Sequence, residues 1–210
     1  MLVFSEQSLA FIAVPKTGST ALELALKPRA DIILTKRRKH LSARRFHRRI
    51  APFLAEEFGV TPERFAVIRE PEEQLRSWYR YRARKAKSGS DFSTRAVSFD
   101  AFVRQVIRET PPPFAAVGSQ LAMLTAEDGA VLVHHLFAHE TPSRLLDFLG
   151  ERFGEEIEVK RRNVSPPVPA ELEPATRRAL RHARAAEFEL YARVMEAGGR
   201  LLTPVAGYAG

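Results

Sequence analysis

The segment Pro15-Lys16-Thr17-Gly18-Ser19-Thr20 gathers an ammonium, three hydroxyls and a glycine into six consecutive positions. It follows an apolar run at residues 9–14 (LAFIAV) and precedes residues 21–26 (ALELAL), which have helical composition. A turn from strand to helix aims successive backbone N–H groups and the helix N-terminus at one place, and this favours an anion. Gly18 allows the tight turn and Lys16 adds a full charge, so the loop is a candidate phosphate cradle. It lacks the G-x-x-x-x-G-K-[ST] pattern of nucleoside triphosphatases, because the lysine precedes the glycine and no glycine opens the motif. An ordinary turn capped by Ser19 or Thr20 is the plainer alternative.

A second group is Arg69-Glu70-Pro71, followed one to two helical turns later by Arg76-Ser77-Trp78-Tyr79. A guanidinium at a strand end and a hydroxyl on the next helix can share one phosphate, the first bidentately and the second as a single donor. The alternatives are an Arg69 ion pair with Glu70 or Glu73 and a surface hydroxyl at Ser77. For proton transfer near neutral pH, histidine has the suited pKa, about 6.5 unperturbed. His40 follows a short strand and is the first candidate. His47 belongs to a basic helix face. His134 and His135 point to opposite faces of one strand, and His139 with Glu140 ends that strand. Glu140 is the second candidate base, and His182 completes the six histidines.

These groups need a scaffold that delivers them to one place. Residues 9–14, 31–35, 65–68 and 131–137 read as strands, being apolar, rich in β-branched residues and too short for buried helices. Between them the composition is helical: 21–26, 42–50 with Ser42 as N-cap, 51–58 closed by Gly59, and 72–87 after Pro71 with fraying at 88–90. Further helices are expected at 99–107, at 141–149 with Thr141 as cap and Gly150 or Gly154 as stop, and at 171–197 with a break near His182. Continuous apolar strands alternating with helices predict an α/β three-layer sandwich around a mostly parallel central sheet, in a single domain over residues 1–210. In such sheets ligands sit beyond the carboxyl ends of the strands. Residues 15–18, 36–40 and Arg69 would then face one crevice. Residues 160–169 read as an exposed loop.

The 210 residues carry 33 Lys and Arg against 25 Asp and Glu, a net charge of +8 that favours an anionic partner without choosing one. There is no cysteine, which excludes disulfides, thiolate metal sites and a cysteine nucleophile. No apolar run reaches the roughly 20 residues needed to span a bilayer, and the first residues lack the pattern of a secretory signal. A cytoplasmic protein is expected.

The loop PKTGST and the pattern R-x-P-x-x-x-x-R-S-x-Y (Arg69, Pro71, Arg76, Ser77, Tyr79) resemble the two cofactor signatures of sulfotransferases that use 3′-phosphoadenosine-5′-phosphosulfate (PAPS), most closely bacterial and Golgi-type carbohydrate sulfotransferases. The resemblance runs from about residue 9 to residue 165, with weaker support at Gly118-Ser119-Gln120, His139-Glu140 and Arg162-Asn163-Val164-Ser165. It implies a P-loop NTPase-like fold, with Lys16, Thr17, Gly18, Ser19 and Thr20 on the 5′-phosphosulfate and Arg69 with Ser77 on the 3′-phosphate. It also implies catalytic roles for Lys16, as charge stabiliser, and for His40 in Lys39-His40-Leu41-Ser42, as base.

Transfer would be in line, to a hydroxyl or amine of a small-molecule, lipid or glycan acceptor, leaving 3′,5′-bisphosphoadenosine (PAP) and needing no metal. The late loop, through Arg161 or Arg162, would close over the nucleotide. A small-molecule kinase would instead need Mg²⁺. A nucleic-acid-binding module using residues 37–49 and 76–87 lacks any helix-turn-helix, RRM or zinc pattern, so no nucleic-acid partner is expected. Against such a module too, Trp78, Tyr79 and Tyr81 read as anchoring their helix to the core. A fold member that binds the nucleotide without transfer is the remaining alternative.

Overall fold

The computed structural model describes residues 1–86, 90–160 and 170–205. Six strands form one sheet: β1 (Leu2–Phe4), β2 (Leu9–Ile12), β3 (Ile32–Ile33), β4 (Glu63–Ile68), β5 (His135–Ala138) and β6 (Arg200–Leu202), in the order β3-β1-β2-β4-β5-β6. The sheet is mixed rather than mostly parallel. Parallel pairing is confined to β2–β4 and β4–β5, whereas β1–β2, β1–β3 and β5–β6 are antiparallel. Two short strands cause the difference, since β1 and β6 have three residues each and too little length to show a period.

The strand interiors are apolar on both sides because helices cover both faces. Phe11, Phe65 and Phe137 face α1 (Ser19–Leu26) and α7 (Pro142–Phe153), where Leu22, Leu26, Leu145, Phe148 and Leu149 are buried against them. Ala10, Ile12, Ala66, Ile68 and Leu136 face the opposite layer. That layer contains α2 (Ala43–Arg45), α3 (Ala51–Phe58), α6 (Gln120–Leu124) and α9 (Ala185–Glu196). Register agrees with this alternation: Phe11 pairs with Phe65, and their rings stack at 5.1 Å. A third apolar cluster joins Leu75 and Tyr79 of α4 (Pro71–Lys85) to Phe99, Phe102 and Val103 of α5 (Phe99–Val106) and to Leu180 of α8 (Pro174–Ala183).

The helix expected over 42–50 starts at the Ser42 cap, which accepts from the Arg45 N–H, but passes into a π turn at Phe46–Ile50 before α3. A π turn brings positions five apart onto one side, and Phe46 and Ala51 are both buried. The left-handed Gly59 and Gly154 close α3 and α7. The break in the last helical stretch falls at Arg184. Residues 131–134, expected to begin the fourth strand, precede β5 with a single bridge from Val131 to Thr125.

Direction matters most for function. Because β3 is antiparallel to β1 and β1 is antiparallel to β2, strands β2, β3, β4 and β5 all end at the same edge of the sheet. Among the described residues, no helix is long and apolar enough to cross a membrane.

Candidate functional site

The loop between β2 and α1 is held by side chains that take its carbonyls. The Gln74 amide donates to Pro15 O at 3.2 Å, Arg69 donates to Lys16 O at 3.4 Å, and His139 Nδ1 lies 3.2 Å from Thr17 O. The Thr17 hydroxyl is buried and donates back to Val14 O at 2.9 Å. With the carbonyls engaged, the backbone N–H groups of Thr17, Gly18, Ser19 and Thr20 have no acceptor among the described residues. Gly18 is the N-cap of α1 at φ +79°, and no side chain caps the helix, so Ser19 and Thr20 do not play the capping role. Lys16 also adopts a left-handed φ of +67°. For a lysine such a conformation costs about 1–3 kcal/mol and persists only where its surroundings impose it.

The Lys16 ammonium lies over two rings of α4, 4.2 Å from the centroid of Tyr81 and 5.7 Å from that of Trp78. Burial lowers its pKa to about 8, with further lowering by the Arg69 and Arg84 cations. Tyr81 therefore serves the loop and is itself exposed, contrary to a core-anchoring role, which Tyr79 does fill. Arg69 reaches Glu73 at 3.6 Å, and its Nε is buried without a hydrogen-bond partner. Ser77 lies on the helical stripe between Gln74 and Tyr81, and its hydroxyl has no partner among the described residues. Arg76 turns away: it pairs with Glu72 and Glu73, donates to Ala170 O, and covers the Phe99 ring at 4.8 Å.

His40 arrives from the β3 side. Its Nδ1 is 2.6 Å from Ala13 O, a separation that requires the proton on Nδ1 and leaves the Nε2 lone pair bare. The residue is exposed, yet this side of the ring is covered, and desolvation followed by the Lys39 cation holds its pKa below the ordinary histidine value against the Ala13 bond. Lys39 is tied to Glu23 at 2.5 Å and donates to the Thr20 hydroxyl at 3.2 Å, so the β3 segment and α1 are joined at this edge. The three segments expected to converge after β2, β3 and β4 do so.

The other histidines are divided by strand direction. His135 meets Glu63 at 3.2 Å, His134 accepts the Arg64 backbone N–H, and His47 lies 3.0 Å from the Arg64 guanidinium, all toward the amino ends of β4 and β5. Burial lowers the His134 pKa to about 4. His182 is exposed on α8. His139, by contrast, belongs to the loop, packing beside Gly18. Glu140 is exposed and accepts the Glu70 N–H at 3.1 Å as well as the Tyr191 phenol, so its carboxylate is committed to the start of α4.

No family model, no curated protein and no solved structure matches the chain.

Three contributors carry no motif in the sequence: Gln74, the Gln120 carboxamide as an anchor, and the buried Glu187 that binds it. A polar residue between the apolar Pro71, Leu75 and Trp78 was the available signal for Gln74. Residues 161–165, expected to close over a nucleotide, lie outside the described residues, as do 87–89. Among the described residues no three His, Asp or Glu are grouped to hold a metal ion.

Proposed function

We propose that the chain is a PAPS-dependent sulfotransferase that binds its nucleotide at the carboxyl edge of β2, β3 and β4. The observation that carries this reading is the loop after β2, whose carbonyls are all taken from behind while the N–H groups of residues 17–20 stay unclaimed. Such an array binds an anion. A second anion position, beside the loop, is offered by Arg69, whose Nε is buried without a partner while Nη1 donates to Lys16 O, and by the Ser77 hydroxyl, which has no partner among the described residues. Two anion positions suit a nucleotide phosphorylated at both 3′ and 5′ positions. The parallel β2–β4–β5 core with a phosphate loop between β2 and α1 also fits a P-loop NTPase-like arrangement.

When bound, PAPS supplies a sulfuryl group that passes to an acceptor hydroxyl or amine, with PAP as the leaving group. His40 takes the acceptor's proton at Nε2, which is bare because Nδ1 is fixed by Ala13 O, and its lowered pKa keeps it unprotonated at neutral pH. Lys16 leaves its aromatic seat and places its ammonium where negative charge grows on the departing phosphate oxygens. Thr17, Gly18, Ser19 and Thr20 hold the 5′ group through backbone N–H, and Arg69 with Ser77 holds the 3′-phosphate bidentately and through a hydroxyl.

The test is thermal stabilisation by PAP, compared with adenosine 5′-monophosphate and ATP, each with EDTA or Mg²⁺. A ligand bound only by the native state contributes about 2.7 kcal/mol at 100 times its Kd. PAP is expected to raise the midpoint without metal, and Arg69→Ala to abolish the shift. His40→Ala should keep the shift and lose transfer. An equal response to Mg·ATP would favour a kinase, and no response to PAP would overturn the assignment.

A further inference from the structure

Residues 36–49 hold eight Lys and Arg and no Asp or Glu, so the remainder of the chain is electrically balanced and this one segment accounts for the net charge of +8. The fold leaves five of these cations exposed. Lys36 and Arg38 on the turn after β3, and Arg45, Arg48 and Arg49 on α2 and the π turn, are all exposed. Lys36, Arg38, Arg45 and Arg49 have no ion-pair partner among the described residues. Among the described residues Glu127 answers Arg44 at 2.9 Å and Arg48 at 3.8 Å, and Glu23 answers Lys39 at 2.5 Å.

The surface continues into α3. That helix buries Ala51 and Leu54 and leaves Phe53 and Phe58 outside, 50% and 61% exposed, with Glu56 and Glu57 beside them. The two rings meet edge to face at 5.6 Å. Two phenylalanines held at such exposure gain by burial in an apolar phase, and the exposed cations of residues 36–49, which precede them in the chain, gain from an anionic surface.

We propose that residues 36–58 form a docking surface for an anionic lipid bilayer. The cations meet the headgroups, and Phe53 and Phe58 enter the boundary between headgroups and acyl chains. A soluble polyanion would match the charge but offer the phenylalanines nothing to enter. A nucleic acid would likewise answer the cations but holds no apolar phase for Phe53 and Phe58 to enter. His40 lies within the same segment, so docking would bring the carboxyl edge of the sheet to the headgroup level. The docking itself does not rest on sulfuryl transfer.

Sedimentation of the whole protein with vesicles of phosphatidylcholine and phosphatidylglycerol in equal parts, against phosphatidylcholine alone, tests this. Binding to the mixed vesicles only, weakening as salt rises, is expected. Removing one surface cation should lower the partition about fivefold, so Arg45→Gln with Arg49→Gln should lower it about 25-fold while the melting midpoint is retained. Phe53→Ser with Phe58→Ser should weaken binding at constant charge. The proposal is overturned if mixed vesicles do not bind at low salt, if either double variant binds like the parent, or if duplex DNA or heparin competes the protein off the vesicles at lower charge concentration than added vesicles do. Failure of PAP to bind would leave these outcomes unaffected, so the two readings fail separately.

Discussion

The side chain of Gln120 closes both backbone hydrogen bonds of Arg69: its Oε1 accepts from the Arg69 N–H and its Nε2 donates to the Arg69 carbonyl, each at 2.9 Å. A carboxamide presents the donor and acceptor of a peptide unit, so Gln120 continues the ladder one residue past the end of β4. Its orientation is set by Glu187, 1% exposed, which accepts from Gln120 Nε2 at 3.2 Å and from the Ser119 hydroxyl.

Gln120→Leu therefore leaves the N–H and C=O of Arg69 without partners and takes one hydrogen bond from Glu187, which keeps Ser119 and Arg184, at a cost of about 1–3 kcal/mol for each buried group left unsatisfied. Gln120→Glu should be worse for the site than its size suggests, because a carboxylate cannot donate to the Arg69 carbonyl and stands beside Glu187. Both variants are expected to melt earlier and to bind PAP more weakly than Ser77→Ala, which removes one ligand contact without touching the backbone. Titration calorimetry with melting curves checks this order, and a Gln120→Leu protein that binds PAP like the parent would show that Arg69 needs no such support.

Trp78 is the chain's single tryptophan, and the Lys16 ammonium lies 5.7 Å from its ring. If Lys16 moves onto a bound phosphate, the charge beside the indole leaves, and tryptophan emission should change saturably with PAP. Lys16→Ala should remove most of that change, whereas Tyr81→Phe, which keeps an aromatic seat at 4.2 Å, should preserve it. An emission change of equal size in Lys16→Ala would mean that Trp78 reports some other motion.

The pH dependence of PAP binding has a definite sign. Lys16 is charged below its pKa of about 8 and neutral above it, well under the ordinary lysine value of 10.5. Affinity should be full at neutral pH and fall as pH rises through about 8, and binding above that pH should take up a proton, since a bound phosphate favours the ammonium. Lys16→Arg keeps its charge throughout and should flatten the profile. Calorimetry in buffers of different ionisation enthalpy measures the proton uptake, and a parent profile flat to pH 10 would remove Lys16 from the phosphate site.

The parts of the site legible in sequence are those fixed by neighbours in the chain. Lys16 to Thr20, His40 and Arg69 each follow a strand whose apolar run announces it, and a common strand direction brings them together. What was not legible depends on contacts between distant segments. Gln74 holds Pro15 across 59 residues, and Gln120 holds Arg69 across 51. Nothing in the local pattern around Gln120 shows that its amide replaces a strand. The sheet shows the same limit, for β2 and β4 announce themselves, but the three-residue β1 and β6 acquire their identity only from the strands they pair with. Tyr81 reads as a core aromatic because its helix is rich in them, yet the helix turns that position toward Lys16.

Gly18 and Gly59 separate backbone conformation from site geometry. Both are left-handed, at φ +79° and +64°, so alanine at either position carries a similar backbone cost, on the order of 1–2 kcal/mol. A Cβ at Gly59 would meet nothing within 4 Å, whereas one at Gly18 would lie 3.4 Å from His139 Cε1 and 3.5 Å from its Nδ1. The His139 ring is the group that holds Thr17 O, so pressure on it disturbs the loop. Gly59→Ala is expected to lower the melting midpoint by a few degrees, at about 2–4 °C per kcal/mol for a chain of this size, and to leave the PAP-induced shift intact. Gly18→Ala should lose comparable stability and also most of the PAP shift, because the N–H groups on either side of position 18 no longer converge. A Gly18→Ala protein that responds to PAP as fully as Gly59→Ala would show that the loop after β2 does not hold the nucleotide.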